Sequence, residues 1–173
     1  MNMDASPIQA LCNARVLTDD GLQDGLAVLL AGTQIQAVVA ADDARVAQAH
    51  TRVDLGGATL LPGFIDIQVN GGGGVLFNNA RDPQALATIA AAHRRYGTTG
   101  MLPTLISDTA EVMAEAIDAT RQAIAQGVPG VLGIHLEGPY LSPAHKARTT
   151  RTSSACPTRT RLPSIPRWTT ASP

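Results

Sequence analysis

Apolar positions in the first part of the chain come in short runs of strand length rather than in helical stripes. Ile8 to Thr18 carries several such stretches. Leu26 to Leu30, the pair Gly32-Thr33, and then Ile35 to Val39 predict two strands joined by a tight turn. These segments make a small β unit. After a polar, Ala-rich stretch from Ala40 to Arg52, the segment Ala58 to Asn70 predicts a further strand, with a Pro62-Gly63 turn before Phe64, Ile65, Ile67 and Val69. It is too apolar for a solvated edge and is expected inside a larger sheet.

Beyond Asn70 the period changes from two to about 3.6. Asp82 is placed to cap a helix with Pro83 at its first position, Leu86, Ile89 and Ala90 on one face, and Gly97 as the stop. Thr98 to Ile106 reads as the next strand. Asp108 with Glu111 resembles a capping box, and Met113, Ile117, Thr120 and Ile124 form one stripe up to Gly127. Gly130 to Glu137 is then a third short apolar strand. Strand, helix, strand, helix, strand is the order of a parallel α/β sheet. Three such strands do not close a barrel, which takes eight.

Composition sharpens this picture. With 173 residues, 45% of them hydrophobic, 16% charged and 3% aromatic, the chain is of soluble globular type, sized for one domain or part of a larger one. Collagen, coiled coil and acidic disorder are excluded. The formal net charge of −1 hides a split: residues 1–145 hold all 14 acidic side chains against 7 basic ones, and residues 146–173 hold 6 basic and no acidic. All 16 glycines lie in residues 1–145, and 15 of the last 28 residues are Ser, Thr or Pro. No apolar stretch approaches the ~20 residues of a membrane span, and the N-terminus lacks the order of a signal peptide. A cytoplasmic protein without membrane contact is expected. Cys12 and Cys156 form no CxxC, so neither a disulfide framework nor a thiolate metal site is suggested, and Cys12 is expected to be a buried thiol.

In parallel α/β folds, functional side chains gather at the C-terminal ends of the strands. Alternation along Asp66-Ile-Gln68-Val-Asn70 points Asp66, Gln68 and Asn70 to one side, either as active-site lining or as a buried polar row. The run Gly71 to Gly74 lacks a following Gly-Lys-Ser/Thr, so it is read as a flexible connection and not a phosphate loop. In Gly133-Ile-His135-Leu-Glu137-Gly-Pro139, a carboxylate at a strand end is costly unless it is ion-paired or binds a metal, and His135 shares its face. His93, beside Arg94 and Arg95 near a helix end, reads as a solvated surface residue. His145 carries no motif, and Trp168 has no neighbours that would make a stacking platform.

Taken together, Leu61-Pro-Gly-Phe-Ile-Asp-Ile-Gln-Val-Asn-Gly-Gly-Gly-Gly74, Gly97-Thr-Thr-Gly-Met-Leu-Pro-Thr-Leu105 and Gly133-Ile-His-Leu-Glu-Gly-Pro-Tyr-Leu-Ser-Pro143 resemble the N-acetylglucosamine-6-phosphate deacetylases of the amidohydrolase superfamily. The resemblance covers residues 8 to 146. It implies the N-terminal portion of a metal-dependent TIM (β/α)8 barrel with part of a small β-sandwich domain: residues 1–55 in the sandwich, 56–146 as the first three βα positions. Other amidohydrolases carry His-x-His on the first strand; here Gln68-Val-Asn70 stands in its place, which points away from dihydroorotase or urease relatives. By the resemblance, Glu137 is a ligand to a divalent metal, zinc or iron, that activates water against the acetamide of a sugar phosphate, giving acetate and glucosamine 6-phosphate. The family's histidine ligands and its proton-transferring Asp lie beyond the matching region, so no catalytic residue is assigned. One carboxylate cannot hold a catalytic zinc, and the chain alone is expected to be inactive. Full-length members are homo-oligomeric.

The family continues with a pattern like Lys-Gly-Ala-His-Asp-Pro, whereas this chain reads Lys146-Ala147-Arg148-Thr149-Thr150-Arg151. Loss of one base from GGC GCG CAC GAC CCG gives Ala-Arg-Thr-Thr-Arg. Residues 147–173 are therefore expected to be an out-of-frame, disordered basic tail. A nucleic-acid-binding arm is the weaker alternative, because the tail has no aromatic interleaving. The alternative for the whole chain is a non-catalytic α/β fragment or interaction module.

Overall fold

A computed structural model describes residues 6–138. The expectations for residues 139–143, His145, Cys156, Trp168 and the basic tail lie outside the described residues. The chain divides into two compact units between Pro62 and Gly63.

The first unit is a four-stranded sheet in the order β3-β2-β1-β4, built from β1 (Ile8–Thr18), β2 (Gly21–Ala31), β3 (Gln34–Ala40) and β4 (Thr51–Leu60). β1, β2 and β3 are antiparallel neighbours, as the apolar runs and the Gly32-Thr33 turn anticipate. β4 returns parallel to β1 through α1 (Ala44–Ala47), whose first turn is capped by Asp43. Ala58–Leu60 therefore pairs with Ala14–Val16 and is not continuous with the Phe64 strand.

Asn13 adopts a left-handed φ of 53°, and its amide donates to Asp54 Oδ1 at 2.7 Å. There the β1–β2 register shifts, from Leu11 opposite Val28 to Ala14 opposite Leu26, so β1 carries one extra residue. An extra residue in a strand exchanges its faces. Consequently Ala10 packs with Ala27, Leu29, Val39 and Val46, whereas Ala14 and Val16 pack with Val28 on the other side. Cys12 is half-buried, not buried as expected, packed at the margin of the Ala10 cluster.

The second unit holds β5 (Phe64–Val69), a hairpin of β6 (Gly71–Gly72) and β7 (Val75–Leu76), α2 (Pro83–Arg94), β8 (Thr98–Ile106), α3 (Ala110–Ala125) and β9 (His135–Glu137). β5, β8 and β9 form a parallel sheet in that order. Asp82 caps α2 by accepting from Ala85 N at 2.8 Å, with Pro83 inside the first turn and Gly97 at φ +93° after its end. Leu86 and Ile89 are fully buried against Met101, Leu105 and Phe77. β8 is central and yet contains Pro103, which has no N–H to give. The β5–β8 register skips there, between Asp66 opposite Met101 and Val69 opposite Pro103, so the missing donor falls at an irregularity.

Four expectations are corrected here. β5 is an edge strand among the described residues, with Phe64, Ile65 and Ile67 58%, 64% and 67% exposed, because its only strand neighbour is β8. The glycine run is an ordered hairpin: Gly73 and Gly74, at φ +61° and +82°, make the tight turn that two successive left-handed residues allow. The cap of α3 is Thr109, not Asp108; Thr109 Oγ1 accepts from Val112 N, and Asp108 instead accepts from Thr109 N. The buried face of α3 is Ala116, Ala119, Thr120 and Ala123, and Ile124 is exposed. Small side chains allow close packing there, and the larger apolar residues fall at its margins.

Candidate active-site face

Alternation sorts the parallel sheet into two faces. Val69, Met101 and Leu105 join the helix-side core, with Leu136 packed against it. On the opposite face, β9 turns His135 and Glu137 outward, β8 presents Thr104, and β5 carries Gln68 and Asn70; Asp66, opposite Met101 before the register skip, falls on the helix-side face, so the expected row of three is broken. The register sets Thr104 opposite His135 and Ile106 opposite Glu137.

Thr104, with no exposed surface, places its hydroxyl 3.2 Å from His135 Nδ1. Asp66 Oδ1 accepts from the backbone N of Gln68 at 3.1 Å, which bends that carboxylate along its own strand. Gln68 is exposed, so the row on β5 is not a buried polar one. Asn70 is half-buried, and its Nδ2 is fully covered without a hydrogen-bond partner among the described residues. The backbone oxygen of Asn70 accepts from Phe77 N at 2.9 Å across the glycine hairpin. Phe77 has no exposed surface, so it anchors this loop in the core.

Glu137 is half-buried at the end of β9, and its backbone oxygen accepts from the Ser107 hydroxyl. Among the described residues no Lys or Arg pairs with its carboxylate. The salt-bridge alternative thus has no partner there. Nor do three His, Cys, Asp or Glu side chains gather anywhere among the described residues. A catalytic zinc needs about three protein ligands, so these residues do not by themselves fit the metal.

His93 is corrected from a solvated role: it is half-buried, and its Nε2 lies 2.9 Å from Gly71 O, tying the hairpin to α2. A side chain on Gly72 would collide with that ring, which explains a glycine there. Three residues that sequence reasoning passed over organise the site's floor and rim: Thr104, Ser107 and Asn78. None belongs to a periodic pattern, because each acts across strands. The one available signal was Thr104, polar within the apolar run Met101 to Ile106.

No protein-family model matches the chain. Its described α/β fold is that of solved amino-sugar-phosphate deacetylases: one from Pasteurella multocida superposes with a TM-score of 0.80 at 32% identity, covering 87% of this chain and 39% of that one. A second, from Mycobacterium smegmatis in complex with N-acetyl-D-glucosamine-6-phosphate, gives 0.74 at 29% identity, covering 88% and 38%. In sequence, an N-acetylgalactosamine-6-phosphate deacetylase of Shewanella sp. is 43% identical over 133 residues, 77% of this chain and 34% of the relative. An N-acetylglucosamine-6-phosphate deacetylase of Haemophilus influenzae is 35% identical over the same shares. The chain is thus a homologue of the N-acetylglucosamine-6-phosphate deacetylases, an amidohydrolase family, and it spans about a third of the length of the curated relatives it matches.

Among the described residues, no helix is long and apolar enough to cross a membrane.

Proposed function

We propose that this chain supplies the N-terminal part of a cytoplasmic, metal-dependent deacetylase that releases acetate from N-acetylglucosamine 6-phosphate. In this reading β5, β8 and β9 are the first three strands of a (β/α)8 barrel, and the sheet of the first unit is part of a small β-sandwich domain. Residues 1–55 and 56–146 are their respective shares of the sequence. Glu137 contributes one ligand to a zinc or iron ion, with Gln68, Asn70 and His135 lining the site. The remaining ligands and the proton-transferring carboxylate are not among the described residues, and in this reading those residues alone do not turn over substrate. Residues 147–173 are out-of-frame sequence, which DNA sequencing around codon 147 checks directly.

The observation that carries this reading is the Glu137 carboxylate at the end of β9, without an ion-pair partner among the described residues and on one face with Gln68 and Asn70, in a chain homologous to these deacetylases. The relative named for N-acetylgalactosamine 6-phosphate supports a second substrate, the 4-epimer.

The test is a chimera in which residues 8–138 replace the matching segment of the Shewanella relative, assayed on both amino-sugar phosphates. Acetate release is expected, with a fall on the order of 10²-fold or more for Glu137→Gln. A folded chimera whose activity ignores Glu137→Gln would overturn the assignment.

A further inference from the structure

The Thr104 hydroxyl sits between two partners, Leu102 O at 3.3 Å and His135 Nδ1 at 3.2 Å. It carries a single proton, and a carbonyl oxygen can only accept. If the proton goes to Nδ1, the contact with Leu102 O is lost, and the Nε2–H of the ring is left without a partner among the described residues. When the proton goes to Leu102 O, the hydroxyl lone pair accepts from Nδ1–H, and both contacts are made at once. Thr104 has no exposed surface, so water does not substitute for either partner. The strand register holds the pair in place, since Thr104 lies directly opposite His135 on the face away from the helices.

We infer that Thr104 is a positioning residue that locks His135 in the Nδ1–H tautomer, leaving the Nε2 lone pair as a hydrogen-bond acceptor on the face that carries Glu137. The bond made by one ring nitrogen decides which form the other takes. A lone pair so held suits a hydroxyl or N–H donor of a bound small molecule. Only this last assignment rests on the proposed deacetylase site; the tautomer itself does not.

The experiment is a long-range proton–nitrogen correlation spectrum of the full, nitrogen-15-labelled chain at a pH where the imidazoles are neutral. Assignment uses His135→Gln, which removes one of 4 histidine patterns. The expected result is a pyrrole-type Nδ1 and a pyridine-type Nε2 at His135, kept in Thr104→Ser and lost toward the Nε2–H form in Thr104→Val. An Nε2–H pattern in the unmodified chain would overturn the inference, as would a folded Thr104→Val with an unchanged pattern. Should Thr104→Val fail to fold, the unmodified chain decides: a nuclear Overhauser contact between the Nδ1 proton and the Thr104 methyl supports the inference, and its absence overturns it. None of these readouts depends on deacetylase activity.

Discussion

Asn78 and Ile106, 28 residues apart, exchange two hydrogen bonds: the Asn78 amide donates to Ile106 O and accepts from Ile106 N, each at 2.9 Å. The side-chain amide thereby imitates a neighbouring strand at the end of β8, next to the register position of Glu137. Arg81 reinforces the arrangement by donating to Asn78 O and pairing with Glu115.

Replacing Asn78 with Ala leaves two half-buried backbone groups of β8 unpaired. A loss of about 1–3 kcal/mol is expected, read as a lower urea midpoint. Asn78→Asp keeps the acceptor for Ile106 N but turns an oxygen toward Ile106 O, so it is expected to destabilise as well.

The glycine hairpin separates strain from collision. Gly74 has φ +82° and open space around it, so Gly74→Ala costs only left-handed backbone strain, about 1–2 kcal/mol. At Gly71 an added Cβ would run into Val75 O of the paired strand, and the hairpin has to open. Thermal melts are expected to rank Gly71→Ala well below Gly74→Ala; equal melts would contradict the close packing.

Ile65 and Ile67 stand 64% and 67% exposed on a strand whose outer edge has no strand neighbour among the described residues. Such an edge is a template for pairing with other chains. Ile67→Lys is expected to leave stability within about 0.5 kcal/mol while lowering self-association, seen as reduced light scattering at the same concentration.

Two acidic residues of the first unit are poised to sense acid. Asp43 is held at about 2, below the ordinary 3.8, chiefly by the Arg45 side chain and then by its backbone N–H. Asp54 is lowered by the backbone N–H of Gly56 and then by Asn13. A carboxyl lowered in the folded state adds stability above its unfolded value, and that stability is lost as pH falls through the folded value. Carboxyl titration by nuclear magnetic resonance is expected to find Asp43 still ionised at pH 3. Asn13→Ala is expected to raise the Asp54 midpoint.

Local signals predicted local structure well. Asp82, Pro83 and Gly97 marked both ends of α2, and the strand expected over Thr98 to Ile106 matched β8, since caps and turns act within a few residues. The same reasoning misjudged His93 and Gly71 to Gly74, because the ring and the loop meet across 22 residues of chain. It also set the buried face of α3 on its larger apolar residues, whereas the close approach selected alanines.

By itself the sequence determined that two helices, α2 and α3, alternate with the strands β5, β8 and β9, and that His135 and Glu137 stand at a strand end, consequences of periodicity and chain direction. Tertiary structure alone decided which groups meet: the Asn13 bulge that exchanges the faces of β1, the Asn78 clamp on Ile106, and the Thr104 hydroxyl beneath His135. Those contacts depend on the register between distant strands. No single strand carries the information about how it will be aligned with its neighbour.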